Sequence, residues 1–362
     1  RANREQKTGI EWYSYHLIQE LKKISLAPGD KFILYTPLKL QGPLAKMPVN
    51  WEERILKWPF KYLWTQVRLA WEMLFHPPDV LFVPAHCLPL FSSVKKVATV
   101  HDLGFKHFAK SYSLFQRFYY YISHYWSLKM AKQIIVPSKS TKNDILKNFC
   151  SPKGKITVIP LGYTSKKKLL NTQVNSNLIL DKYKIKKPFF LYVGRLEKKK
   201  NVLGLIKAYQ ELKKSKQKLE IPNLVLVGKP GYGYRDVKNQ TSKIKSIKEI
   251  GYIASEDLSV LYSSSLALVF PSFYEGFGLP LLEAMANNCP VLASNAGSLP
   301  EVGGVAALYF DPHNIEDIKN VMLRIIKDKE LRRSLIEKAN QRVKFFSWEK
   351  CAQSTKKVLF SN

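Results

Sequence analysis

Acidic residues are scarce in this chain of 362 residues: 28 aspartates and glutamates stand against 58 lysines and arginines, a formal net charge of +30. A surface this basic attracts polyanions, whether nucleic acid, anionic lipid or phosphorylated substrates. The lysines run along the whole chain rather than forming one tail, so a general lysine bias accounts for the number equally well. No zinc finger, RNP-type aromatic motif or basic-plus-heptad pattern accompanies the charge, which speaks against sequence-specific nucleic-acid binding. Cysteine is scarce too. Cys87, Cys150, Cys289 and Cys351 stand singly, without C-x-x-C or Cys/His spacing. That excludes a zinc knuckle or a disulfide framework and fits a reducing cytosol. No apolar run approaches the roughly 18 to 20 residues of a membrane-spanning helix, and the first residues, from Arg1 onward, are polar rather than signal-like.

What is present suits two domains. Hydrophobic residues make up 46% and aromatics 12%, values from which each half can build a core. Short β-branched or aromatic runs (31–35, 80–83, 97–100, 133–136 and 157–159) alternate with helical stretches (11–22, 64–75, 114–130 and 139–149). After a looser Lys-, Asn- and Ser-rich connection at 162–187, the alternation restarts. Strands are expected at 188–193, 224–227, 244–250, 266–269 and 291–293; helices at 203–213, 256–263, 280–287, 315–327, 329–345 and 348–360. Such alternation implies α/β domains with parallel, doubly wound sheets, whose ligands lie beyond the carboxyl ends of the strands.

Two strand-to-helix loops hold candidate chemistry. The first is Gly194-Arg195-Leu-Glu-Lys-Lys-Lys200-Asn201. Two cations at a helix entrance suit a diphosphate, because the helix adds roughly half a positive charge there. Lys198 and Lys199 read as a solvated run. The second is Pro271-Ser-Phe-Tyr-Glu275-Gly276-Phe277-Gly278-Leu279-Pro280-Leu-Leu-Glu283. Its glycines allow close backbone approach, and the amides near Gly278 and Leu279 face whatever fills the helix mouth. Glu275 is placed to accept hydrogen bonds from a sugar, and Glu283, further into the helix, from paired hydroxyls such as a ribose.

The segment PSFYEGFGLPLLEAMA, with seven residues between Glu275 and Glu283, resembles the E-x7-E signature of the family-4 retaining glycosyltransferases of the GT-B fold. VGRLEKKKN (Val193–Asn201), VLVGKPGYGY, GYIASEDLSVLYSSS, VLASNAGSLPEVGGVAALYFDP and FSWEKCAQ resemble the rest of that family's C-terminal half in order and spacing. TVHDLGF, VPSKSTKNDI and VIPLGY resemble its N-terminal half. The likeness covers almost the whole chain.

The resemblance implies two Rossmann-like domains facing across a cleft: an acceptor-binding domain over 1–165, a nucleotide-sugar domain over 166–345, and a closing helix at 346–362 that packs back toward the first domain. It implies that Arg195 and Lys200 hold a donor diphosphate in place of a metal ion, and no Asp-x-Asp triplet occurs, so no divalent metal is expected. Glu283 would bind the ribose, with Tyr252 and Ile253 near the base. Glu275, Gly276 and the amides of Phe277, Gly278 and Leu279 would contact donor sugar and phosphates, with Gly194 making the turn. His101 would reach the donor sugar from the other domain, and Gly9 corresponds to a small-residue turn near the phosphates. The family begins with an apolar strand before that turn, and this sequence starts too late to contain it, so either the sequence is truncated or the sheet lacks an edge or centre piece.

The implied reaction is metal-independent, retaining transfer of a hexose from a GDP- or UDP-hexose, with no cofactor, to a glycan or lipid-linked acceptor in envelope polysaccharide synthesis. The aromatic and basic segment 113–132 (Phe115, Phe118, Tyr119, Tyr120, Tyr121, Tyr125, Trp126) reads either as a peripheral contact with an anionic membrane on its cytoplasmic face or as a core helix. A nucleotide-sugar epimerase, a sugar phosphorylase and a non-catalytic polyanion-binding protein on the same fold remain alternatives.

Overall fold

Strands alternate with helices from end to end in the computed structural model, which describes residues 2–3, 9–60, 63–92, 94–149, 153–163, 173–215 and 219–361. By internal contacts the chain divides into two units. One comprises Arg1–Lys106, Tyr112–Gly162 and Phe346–Asn362; the other comprises His107–Ser111 and Tyr163–Phe345.

In the first part of the chain the elements run α1 (Gly9–Leu21), β1 (Phe32–Thr36), β2 (Trp51–Ile55), α2 (Ala70–Phe75), β3 (Val80–Val83), β4 (Lys95–Thr99), α3 (Gly104–His107), α4 (Leu114–Met130), β5 (Gln133–Val136), α5 (Lys139–Asn148) and β6 (Ile156–Val158). Strands β3-β4-β5-β6 form one parallel sheet, and β1 pairs with β2 in a separate parallel pair. Val97, Ala98, Ile134 and Val136 are buried on the four-stranded sheet, the near-continuous apolar pattern of strands covered on both faces. Strand β2, Trp-Glu-Glu-Arg-Ile, is not expected from its sequence because three of its five residues are charged. Its Arg54 bonds Glu52 and the buried Glu72 of α2, so the charges are used between neighbouring elements rather than solvated.

A capping box starts α4: the Ser113 hydroxyl accepts from the Gln116 amide, and the Gln116 side chain accepts from the Ser113 amide. The helix buries only His124, Ser127 and Leu128. Phe115, Phe118, Tyr119, Tyr121 and Tyr125 are exposed, so the core-helix reading fails for these five, while Tyr120 is half-buried against the core cluster around Phe105 and Leu128.

In the second part follow α6 (Gln173–Lys182), β7 (Phe189–Val193), α7 (Val202–Lys214), β8 (Asn223–Val227), α8 (Tyr234–Thr241), β9 (Ile247–Gly251), α9 (Ser255–Ser264), β10 (Ala267–Phe270), α10 (Leu279–Ala286), β11 (Val291–Ser294), α11 (Leu299–Gly303), β12 (Ala307–Phe310), α12 (Ile315–Lys327) and α13 (Lys329–Arg342). Six parallel strands lie in the order β12-β11-β10-β7-β8-β9. The first strand made is thus central, and the sheet grows one way to β9 and then the other way from β10. Phe189, Phe190, Leu191 and Tyr192 are fully buried, as a central strand requires. The reversal makes β7 and β10 neighbours, and loops leaving adjacent strands at such a switch point bound a crevice.

A last helix, α14 (Trp348–Phe360), returns to the first unit. It packs on α1 through a stack in which His16 lies between Trp12 (5.2 Å) and Trp348 (5.0 Å). The fit is close: a Cβ on Gly162 would come within 2.1 Å of the Trp348 backbone nitrogen.

Candidate functional site

Because β7 and β10 are neighbours, the loops that leave them meet. The β7 loop turns at Gly194, whose amide donates to Val227 O (2.9 Å). It then runs alongside the loop after β8: Leu196 donates to Lys229 O, and Gly231 donates back to Leu196 O. Gly228 permits this approach, since a Cβ there would lie 1.8 Å from Gly194 O at a φ of +150°. The same loop touches the β10 loop through Phe273, whose amide donates to Lys199 O (3.1 Å).

Lys200 and Glu275 are brought together here. Their side chains are 16% and 12% exposed and form a salt bridge between Nζ and Oε1. Lys200 also lies over the Phe270 ring, 5.7 Å from its centroid. The buried Ser272 hydroxyl donates to the same Glu275 oxygen (2.7 Å). Next to Lys200, Asn201 adopts a left-handed conformation (φ +53°) and donates from Nδ2 to Pro312 O (2.7 Å), anchoring the entrance of α7.

The Glu275–Leu279 turn is clamped from behind. Ser298, fully buried, directs its hydroxyl between Glu275 O (3.0 Å) and Phe277 O (2.8 Å). Gly278 caps α10 at φ +106°, and a Cβ there would sit 2.6 Å from a Leu299 methyl. Pro280 in the first turn carries no N–H, no side chain caps the helix, and the Leu281 amide turns back to Gly278 O (3.0 Å). Glu283, one turn in, accepts from the buried Tyr262 hydroxyl (2.9 Å). Burial first, and the Glu283 charge second, hold that phenol well above its ordinary range, so it stays a donor.

The remaining expected residues belong to the β7 loop, the loop after β9 and the first unit. Arg195, one of the two cations expected at the helix entrance, is not held in the crevice by a buried contact. The turn at Gly194 carries it outward, 63% exposed, with Nε 3.6 Å from Glu197 Oε2. Tyr252 and Ile253 follow β9, with Ile253 buried and Tyr252 exposed beneath Lys229 (5.0 Å to the ring). His101 and Gly9 belong to the first unit. His101 follows β4, packs edge-on against Tyr13 (4.8 Å) and has Nε2 3.3 Å from Pro84 O. Tyr13 in turn bonds Thr99 (3.1 Å). Gly9 opens α1 exposed, and a Cβ there would meet nothing within 4 Å.

Ser272, Ser298 and Tyr262 were not singled out by sequence reasoning. Each lies inside a string with family character, but a neutral hydroxyl carries no charge or spacing signal of its own.

The fold thus presents a crevice at the switch point of a Rossmann-type sheet, with a lysine–carboxylate pair at a helix mouth. Residues 177–342 match the family described as glycosyl transferases group 1, and residues 8–166 match glycosyltransferase family 4. The O-antigen chain mannosyltransferase B of Escherichia coli is 30% identical over 96% of this chain and 94% of its own length. The O-antigen chain mannosyltransferase RfbU of Salmonella typhimurium is 28% identical over 87% of each. Among solved structures, Anabaena Alr3699/HepE in complex with UDP-glucose superposes with a TM-score of 0.75 over 99% of this chain and 97% of that one, at 15% identity, a likeness of fold. The chain belongs to the family-4 glycosyltransferases, with the GT-B fold. No helix among the described residues is long and apolar enough to cross a membrane.

Proposed function

We propose that this protein is a retaining hexosyltransferase that moves a mannose-type sugar from a nucleoside diphosphate donor to a growing cell-envelope glycan. Support for a hexosyl and mannosyl reaction comes from the relatives named as O-antigen mannosyltransferases. Support for a nucleotide-sugar donor comes from a fold neighbour solved with UDP-glucose. The observation that carries the reading is the Lys200–Glu275–Ser272 cluster at the mouth of α10.

In such a transfer the anomeric carbon becomes oxocarbenium-like while negative charge grows on the departing diphosphate. Lys200 has three N–H donors and gives one to Glu275, so its remaining donors and the α10 amides meet that charge. Arg195, exposed on its loop, supplies a second cation. Removal of one preorganised donor of this kind costs about 10² to 10³ in rate. Glu275 orients the sugar through its hydroxyls and holds Lys200 in place. Glu283, fixed by Tyr262, takes the ribose, with Tyr252 and Ile253 beside the base. For His101 and Gly9 we retain the roles the family resemblance implies, contact with the donor sugar and with its phosphates. The departing phosphate serves as base for the acceptor hydroxyl, which preserves configuration. The acceptor is a glycan or lipid-linked glycan presented at the cytoplasmic face of an anionic membrane.

Thermal-shift titration against GDP-, UDP- and dTDP-hexoses tests the donor, since a bound donor raises stability by RT ln(1 + [L]/Kd). One class of donor is expected to shift the melting temperature. Full transferase activity in Arg195→Ala or Glu275→Ala with that donor would overturn the scheme.

A further inference from the structure

Outside the proposed donor site, the first unit carries an apolar surface that the transfer reaction does not use. It is built from three pieces. The first is the outer face of α4, where Phe115, Phe118 and Ile122 recur at helical spacing. The second is the outer face of the turn Thr65–Leu69 continued by α2, which presents Trp71 and Leu74. The third is the loop that carries Phe91. These six side chains are between 43% (Ile122) and 78% (Phe115) exposed.

The pieces are tied into one surface rather than scattered. Gln66, within the Thr65–Leu69 turn, donates to Leu88 O (3.0 Å) and accepts from the Leu90 amide (3.0 Å). On the other flank Trp126 of α4 donates to Pro89 O (3.3 Å), and the Leu88 amide donates to the Ser127 hydroxyl (3.2 Å). The loop that leads to Phe91 is therefore bonded to both helical segments. Isolated exposed hydrophobics need no explanation, but a contiguous group of this size marks an interaction surface.

Charge identifies the occupant. Asp102 is the one acidic residue between Pro84 and Asn143, a stretch that contains Lys106, Lys110, Arg117, Lys129 and Lys132. Lys106 lies over the Tyr121 ring at 5.5 Å, and Arg117 and Lys129 are exposed on α4 itself. Glu72 of α2 does not offset this charge, because it is buried and bonded by Arg54 and Arg68. Asp79 is the exposed acid beyond the end of α2. A second copy would set one basic rim against another. An anionic bilayer satisfies both halves of the surface, taking aromatic and aliphatic side chains at the acyl boundary and lysines and arginines at the headgroups.

We propose that the joined outer faces of α4, the Thr65–Phe75 helical segment and the Phe91 loop form a docking surface for a membrane rich in anionic lipid. The proposal rests on the glycosyltransferase reading above only for its purpose, delivery of the donor site to a membrane-held acceptor.

The test is flotation of the full chain with vesicles of phosphatidylglycerol and phosphatidylcholine, against vesicles of phosphatidylcholine alone. Wild type is expected to bind the anionic vesicles at least tenfold more, and to lose most of that binding at high salt. Phe115→Ser with Phe118→Ser, and separately Trp71→Ser, are expected to lower binding about tenfold; Arg117→Glu with Lys129→Glu should abolish the lipid preference. Melting temperature and the donor-induced thermal shift should stay unchanged in all three. Equal flotation of wild type and variants, or no flotation of wild type, would overturn the proposal. So would wild type that is dimeric by light scattering and becomes monomeric in the aromatic variants. If flotation behaves as expected but no nucleotide sugar shifts the melting temperature, the transferase reading fails and the docking surface stands.

Discussion

Lys200 and Glu275 form a salt bridge although 75 positions separate them in the chain. The strand order β12-β11-β10-β7-β8-β9 explains the meeting, because it makes the strands that precede the two residues neighbours. The pair is nearly buried, so each charge depends on the other.

A double-mutant cycle separates what the pair does for stability from what it does for the reaction. Lys200→Met or Glu275→Leu alone leaves a poorly solvated charge, with an expected loss of about 2 kcal/mol in urea unfolding. The double variant should recover most of that loss. Its transfer rate should stay at least about 10²-fold down, because the charge proposed to meet the diphosphate is gone. Recovery of activity together with stability would reduce the pair to a structural element.

Tyr262→Phe removes the donor that fixes Glu283. The fold should persist, since the ring stays in place, while the KM for the nucleotide sugar rises about tenfold with little change in kcat, the signature of lost uniform binding. Steady-state kinetics with the donor varied would read this directly; a fall in kcat at constant KM would place Tyr262 elsewhere in the scheme.

Ser298→Ala strips the shared donor from the carbonyls of Glu275 and Phe277. Phe277 O loses this donor while Glu275 O keeps the Ser298 amide (3.3 Å), at a cost of about 1 to 3 kcal/mol. Because the same turn presents Glu275 and the first amides of α10, kcat/KM should fall as well. Unchanged kcat/KM in a destabilised variant would show that the turn is held without Ser298.

His124, buried in α4 and stacked on His86 at 4.2 Å, has its pKa lowered from 6.5 to about 4, chiefly by burial. The Tyr120 carbonyl, 2.7 Å from Nδ1, and Asp102 act in the opposite direction. The unfolded chain binds this proton near pH 6.5 and the folded chain only near pH 4. Stability is therefore complete above 6.5 and declines as pH falls from there to about 4, by about 3 kcal/mol in all. Urea midpoints for wild type and His124→Gln should converge across that window; parallel curves would show that the imidazole titrates normally.

Much of the candidate site was legible in the sequence because it depends on local order. A glycine after an apolar strand, cations before a helix and a carboxylate on each side of a Gly-x-Gly turn survive as strings. The salt bridge did not, because it depends on which strands are adjacent. The hydroxyls of Ser272, Ser298 and Tyr262 escaped for a different reason: hydrogen bonding to a loop's backbone leaves no periodicity. Strand β2 was hidden by its charges, and β12, Ala307–Phe310, by its brevity. Segment 113–132 could be read as core or as surface, since a helix rich in Phe and Tyr has apolar residues on every side. Only the burial of His124, Ser127 and Leu128 decides which side faces in.

The return of α14 to α1 sets an order of events during synthesis. The first unit emerges from the ribosome early, but it lacks the helix that closes on Gly162 and His16 until the whole second unit has been made. The second unit draws nearly all of its residues from one continuous stretch and can complete its sheet first. Nascent chains arrested before Trp348 should therefore present a protease-resistant second half behind an N-terminal half that is still open to cleavage, the reverse of the usual direction in which domains mature on the ribosome.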